Sequence, residues 1–166
     1  MIALSAFCGA STFAGDLAGY SADLRKKFPD VPVISTSELA GLAPASISIL
    51  LDARGTNEFV VSHLPGAQFA DPDVVAQLKR LGIGSQERIV VYCSVGYRSA
   101  LMVRKLRKAG FTNVQNLEGS IFAWANEGRA LENAAGATHG VHPFNVIWGR
   151  YLEKSRWQWR PVEPRK

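Results

Sequence analysis

A chain of 166 residues is long enough to bury a real core and suits one domain with extensions. Its 47% hydrophobic and 20% charged residues are ordinary for a soluble globular protein, and no apolar run approaches the roughly 20 residues of a membrane-spanning helix. The two cysteines, Cys8 and Cys93, exclude a disulfide scaffold, and most of the formal charge of +5 lies in residues 150–166, so attraction to acidic partners would belong to that tail alone.

Residues 1–14 are apolar and small but carry no Lys or Arg, and Thr12-Phe13-Ala14 is a poor signal-cleavage site, so a secretory leader is not expected. Phe13, Leu17, Tyr20 and Leu24 instead draw an apolar stripe at spacings of 4, 3 and 4, which predicts a helix with Asp16, Asp23, Arg25 and Lys26 facing water and Cys8 as a small apolar residue before or within it. Val31-Pro32-Val33-Ile34 reads as a short strand. Ser35-Thr36-Ser37-Glu38 is a capping box opening a helix to about Ala43. Residues 46–51 form a β-rich run that places Asp52 at a strand's carboxyl end, where ligand sites of open α/β sheets gather. A helical turn over 57–61, a turn at Pro65-Gly66, a strand over 67–69 and a helix opened by Asp71-Pro72-Asp73 follow.

Residues 88–110 hold the sharpest signal. A β-branched run reaches Cys93, Gly96 permits a tight turn, and an amphipathic pattern then runs to a left-handed cap at Gly110. Ala100, Leu101, Val103 and Leu106 supply its buried side, and Arg104, Lys105, Arg107 and Lys108 a solvated one. A cysteine between strand and helix start meets unpartnered N–H groups and the positive end of the helix dipole, which lower a thiol's pKa and make it a nucleophile. A cysteine that merely ends a buried strand is the plainer alternative. Residues 112–117 give a last strand and residues 120–124 a helix. Strands alternating with helices over 34–130 predict an α/β domain whose parallel sheet is covered by helices on both faces. Residues 134–137 read as a linker, and residues 143–152 as one more helix.

Cys93-Ser94-Val95-Gly96-Tyr97-Arg98 resembles the Cys-x-x-Gly-x-Arg loop of rhodanese-like sulfurtransferases. Leu51-Asp52-Ala53-Arg54 with Glu58, then His63-Leu64-Pro65-Gly66-Ala67, resemble two further signatures of that family, and Gly110-Phe111 and residues 117–124 its closing segment. The resemblance spans roughly residues 34–130 and rests on several ordered motifs. It implies a small five-stranded sheet, with an N-terminal helical extension over 1–30, the domain over 31–132 and an extension over 133–166.

The resemblance also implies a reaction. Cys93 would take the sulfane sulfur of thiosulfate, or of another persulfide- or thiosulfonate-type donor, as a persulfide and pass it to a thiol or cyanide. Ser94, Val95, Gly96, Tyr97, Arg98 and Ser99 would form the substrate loop, supported by Asp52, Arg54, Glu58 and His63. Arg98 has two open roles, binding an anionic donor or reaching back to Asp52 or Glu58. Tyr97 either shapes the pocket mouth or is an exposed aromatic without a role. Ser94 and Val95 stand where many thiosulfate-using members carry a second basic residue, which weighs against thiosulfate. No cofactor is implied, and His139 and His142 lack the companions that would make a metal site. A protein persulfide is an open possibility as partner. Nucleic acid is not expected, because no recognition module accompanies the basic residues around Trp157 and Trp159. A thiol that must stay reducible points to the cytoplasm. Two rival readings remain: a non-catalytic interaction module of the same fold, and a phosphatase or arsenate reductase. The second requires five residues between Cys and Arg to cradle a tetrahedral oxyanion, and here four intervene.

Overall fold

In the computed structural model, which describes residues 15–162, five strands form one parallel sheet: β1 (Val33–Ile34), β2 (Ile49–Asp52), β3 (Gln68–Phe69), β4 (Ile89–Tyr92) and β5 (Val114–Leu117). They lie in the order β1-β5-β4-β2-β3. Val91 pairs with Leu51 on one side and Asn116 on the other, so β4 is bonded along both edges. Every residue of β4 is buried, and successive side chains enter opposite cores. Val90 and Tyr92 join Leu64, Leu117 and Phe122, whereas Ile89 and Val91 join Val74, Leu78, Val103 and Leu106. A strand covered on both faces has no water-facing side, which is why its sequence is continuously apolar.

Helices cover both faces, as the alternating pattern predicts. Residues from α1 (Leu17–Lys27), α4 (Val74–Arg80) and α5 (Tyr97–Lys108) fill one core, and residues from α2 (Thr36–Gly41) and α6 (Ser120–Asn126) fill the other. A single turn, α3 (Thr56–Phe59), follows β2. The local signals act as expected at three ends. Asp16 accepts the Gly19 N–H at 2.7 Å to cap α1. Ser35 and Glu38 cap each other reciprocally, with Glu38 N to Ser35 Oγ at 3.2 Å and Ser35 N to Glu38 Oε2 at 2.8 Å. After α5, Gly110 turns at φ +97 and the Phe111 N–H reaches back to the Leu106 carbonyl at 3.1 Å.

Several expectations need correction. Leu101 is 46% exposed, and the buried face of α5 is Ser99, Ala100, Val103 and Leu106, because a helix turns about 100° per residue and Leu101 lies beyond that stripe. The cap of α4 is Asp73, whose Oδ1 accepts the Ala76 N–H at 3.1 Å; Asp71 lies outside the helix and pairs with Arg80. The linker read at 134–137 is the turn and second strand of a hairpin, β6 (Leu131–Asn133) against β7 (Gly136–Thr138). Residues 143–152 hold only one helical turn, α7 (Val146–Gly149), capped by Asn145. What organises both regions is distant in sequence. Glu132 exchanges backbone hydrogen bonds with His63, and Val141, Tyr151 and Leu152 are buried in the same core as β4 and α6. Trp157 folds back too, its Nε1–H donating to the carbonyls of Gly149 and Leu152. Cys8, Phe13 and the leader question of residues 1–14 lie outside the described residues, as does the tail beyond 162. No helix among the described residues is long and apolar enough to cross a membrane.

Candidate active site

The chain leaves β4 at Tyr92, and the next residue is Cys93, buried at 1% exposure. The loop that begins there rests on the start of α6. The Cys93 N–H donates to Ser120 Oγ at 3.1 Å, while the carbonyls of Cys93 and Ser94 accept the N–H groups of Ile121 and Phe122 at 3.2 and 3.1 Å. This contact requires Gly119 and Ser120 to stand consecutively at positive φ, +63 and +52. A serine held there is strained backbone, stabilised by its hydroxyl, which also donates to the Leu117 carbonyl at 3.1 Å. Gly96, at φ +105, closes the loop and directs its N–H to Cys93 Sγ at 3.2 Å. Its left-handed backbone is what favours glycine there, and a Cβ would also lie 3.3 Å from Leu24 Cδ1 where the loop packs on α1. Ser99 Oγ–H approaches the sulfur at 3.4 Å, and Asn116 Nδ2 holds the Gly96 carbonyl at 3.0 Å.

Burial alone would push the Cys93 thiol up, but the Arg98 charge and hydrogen bonds from Ser99 and the Gly96 N–H outweigh it, and the net shift is downward. Arg98 is itself anchored. Its Nη1 and Nη2 each donate to the Glu58 carboxylate at 2.8 Å, and Nη2 also donates to Ser94 Oγ at 2.9 Å. Burial raises the Glu58 pKa, yet Arg98 and the Gly55 N–H together hold it below the ordinary carboxylate range. Asp52 is engaged elsewhere: with Arg54 it forms an ion pair at 2.7 Å in which neither side chain has any exposure. Of the two partners open to Arg98, Glu58 is the one it meets. His63 stacks on Phe59 at 4.1 Å, with Nδ1 3.1 Å from the Phe59 carbonyl, and does not line the space above Cys93.

That space is a pocket of about 520 Å³. Cys93, Ser94, Val95 and Arg98 form its base and Tyr97 part of its rim. The remaining walls come from segments flanking the motifs: Tyr20, Asp23, Leu24 and Lys27 of α1, and Phe144 and Trp148 near the C-terminus. Sequence reasoning assigned these six no part in the site, and it also missed Asn116 and the loop-holding role of Ser120. The stripe of α1 announces that Tyr20 and Leu24 pack, but nothing local says against what. Among the described residues no three His, Cys, Asp or Glu side chains group as metal ligands, and His142 Nδ1 accepts the Phe144 N–H at 3.0 Å.

Comparison with known proteins gives a consistent picture. The family model for the rhodanese-like domain matches residues 35–127, more than half of the chain. Over 90 residues the chain is 32% identical to thiosulfate sulfurtransferase 16, chloroplastic, of Arabidopsis thaliana, covering 47% of this chain and 74% of that one. It is 35% identical over 79 residues to a probable adenylyltransferase/sulfurtransferase of Mycobacterium tuberculosis, but spans only 20% of that protein's length. Among solved structures, the rhodanese-like domain of an Anabaena protein superposes with a TM-score of 0.55 at 26% identity, covering 61% of this chain and 79% of that domain. A rhodanese-like domain protein from Staphylococcus aureus gives 0.51 at 27% identity, covering 62% and 98%.

Proposed function

The chain belongs to the rhodanese-like family, and on that premise we propose that it is a sulfurtransferase carrying a sulfane sulfur on Cys93 between a donor and a thiophilic acceptor. The Cys93 thiolate attacks the outer sulfur of the donor. A new S–S bond forms, the donor's bond to that sulfur breaks, and the leaving group departs with the bonding electron pair. A thiol or cyanide then attacks the outer sulfur of the persulfide and restores the thiolate. The observation that carries this reading is the convergence of the Gly96 N–H and the Ser99 hydroxyl on Cys93 Sγ, at 3.2 and 3.4 Å, beneath an open pocket. Donors aimed at a sulfur anion favour the thiolate before the reaction and the persulfide after it.

Arg98 acts here as a positioning residue that also supplies charge. Because both of its terminal nitrogens already serve Glu58, it is poorly disposed to clamp a phosphate, which agrees with a loop too short for phosphatase chemistry. Asp52, Arg54 and His63 support the scaffold beneath the loop. The reaction unit is residues 31–132, flanked by the two extensions, and its chemistry suits a reducing compartment such as the cytoplasm. The test is mass spectrometry of protein exposed to thiosulfate, mercaptopyruvate or an organic persulfide. A gain of one sulfur atom on Cys93, absent in Cys93→Ala and reversed by cyanide, is expected. If no donor loads the wild-type protein, the reading fails.

A further inference from the structure

The ladder between β4 and β5 is interrupted at the nucleophile. It opens with the Ile89 N–H donating to the Asn113 carbonyl at 2.9 Å and runs to the pair Val91–Asn116. The two-residue period of a strand sets the Cys93 N–H opposite the Leu117 carbonyl, where the next rung would form. The Ser120 hydroxyl is inserted there instead, accepting the Cys93 N–H at 3.1 Å and donating to the Leu117 carbonyl at 3.1 Å. The same segment grips the other end of the turn, where Asn116 Nδ2 donates to the Gly96 carbonyl at 3.0 Å. Between these two grips lies the turn in which the Gly96 N–H meets Sγ at 3.2 Å.

Both gripping residues cost the fold stability. Ser120 is fully buried at φ +52, a conformation in which a side chain is strained and glycine is not. Asn116 is 5% exposed, and its Oδ1 has no hydrogen-bond partner among the described residues, a cost that an apolar side chain of the same shape would avoid. Nor does the Gly96 carbonyl depend on Asn116 for a partner, since it also accepts the Ala100 N–H at 3.1 Å. What the two polar groups add is the placement of the loop. We infer that Asn116 and Ser120 are positioning residues for the sulfur transfer proposed above. Ser120 is a wedge that keeps the Cys93 peptide off β5, Asn116 is a clamp on Gly96, and together they aim the Gly96 N–H and the Ser99 hydroxyl at Sγ.

The pH profile of iodoacetamide alkylation, followed on the Cys93 peptide by mass spectrometry, reads how well these groups serve the thiolate and needs no sulfur donor. Asn116→Leu, Ser120→Ala and Ser120→Gly should each move the inflection upward by about one pH unit, the yield of a mis-aimed hydrogen bond to an anion. The two Ser120 variants should shift alike, although Ser120→Gly, relieved of strain, unfolds at higher urea concentration than Ser120→Ala. Leu106→Ala, which empties core space away from the loop, should leave the inflection in place. Inflections that follow the urea midpoints across the four variants, or that stay at the wild-type value in all three variants at 116 and 120, overturn the inference. A shift confined to one of the two positions overturns it for the other. Loading from an organic persulfide, at a pH below the wild-type inflection, should slow about tenfold in the same three variants, in step with the lost thiolate. Unslowed loading overturns their role in the reaction. A wild-type protein that takes up no sulfur sinks the transfer reading, and the alkylation profiles then decide the positioning by themselves.

Discussion

At the sulfur of Cys93 two opposing effects meet. Burial disfavours the thiolate, while Arg98, Ser99 and the Gly96 N–H favour it, and the second group prevails. The sign of the pH dependence follows. On the proposed mechanism the thiolate is the nucleophile, so the rate of persulfide formation should rise with pH through an inflection below that of a free cysteine and then level off. Arg98→Met should move that inflection upward by removing the charge. It should also cost stability near the low end of the about 3–5 kcal/mol of a broken buried pair, because Glu58 would be left uncompensated at 2% exposure while Arg98 itself is partly exposed. Stopped-flow loading across pH and urea unfolding measure the two effects separately. An unmoved inflection would show that the hydrogen bonds alone set the thiol's acidity.

The elements differ in how much of their own geometry they carry. Ser35-Thr36-Ser37-Glu38 holds a complete helix start within one turn, and Gly110 a complete helix end, so both are legible in sequence. Helix α5 shows where such reading stops, because its apolar residues include Leu101, which stays nearly half exposed. Leu106→Ala should destabilise by about 2–5 kcal/mol, since it empties space in the core behind β4, whereas Leu101→Gln should stay within about 0.5 kcal/mol. Denaturant midpoints for the two variants decide it, and equal losses would mean that Leu101 is covered by a partner. The hairpin β6–β7 is the opposite case. Residues 134–137 have the composition of a linker, and what fixes them as part of the fold is their pairing with β6, which the Glu132–His63 ladder, the Asn133 bond to the Val61 carbonyl and the buried Leu131 tie to the domain.

Over the whole molecule, the segments outside the matched region are not appendages. Val141, Tyr151 and Leu152 are buried with β4 and α6, and Trp148 and Trp157 pack against them. Burying one such side chain is worth about 1.5–3 kcal/mol, so removing several approaches the 5–15 kcal/mol that holds a typical domain together. A chain ending at residue 132 should therefore unfold at markedly lower denaturant concentration and bind a hydrophobic dye. If it unfolds like the full chain, residues 133–162 contribute no net stability.

The sequence by itself determined the alternation of strands and helices, the placement of Cys93 between them, and the four-residue spacing to Arg98, because these depend on periodicity, glycine and capping, all properties of neighbouring residues. Tertiary structure alone decided that Arg98 meets Glu58 while Asp52 is spent on Arg54, and that Ser120 supports the Cys93 peptide. It also decided that α1 and the segment around Phe144 wall the pocket. Apart from the local Asp52–Arg54 pair, those contacts join residues dozens of positions apart, and long-range pairings are selected by the packing of both cores at once, which no local pattern encodes.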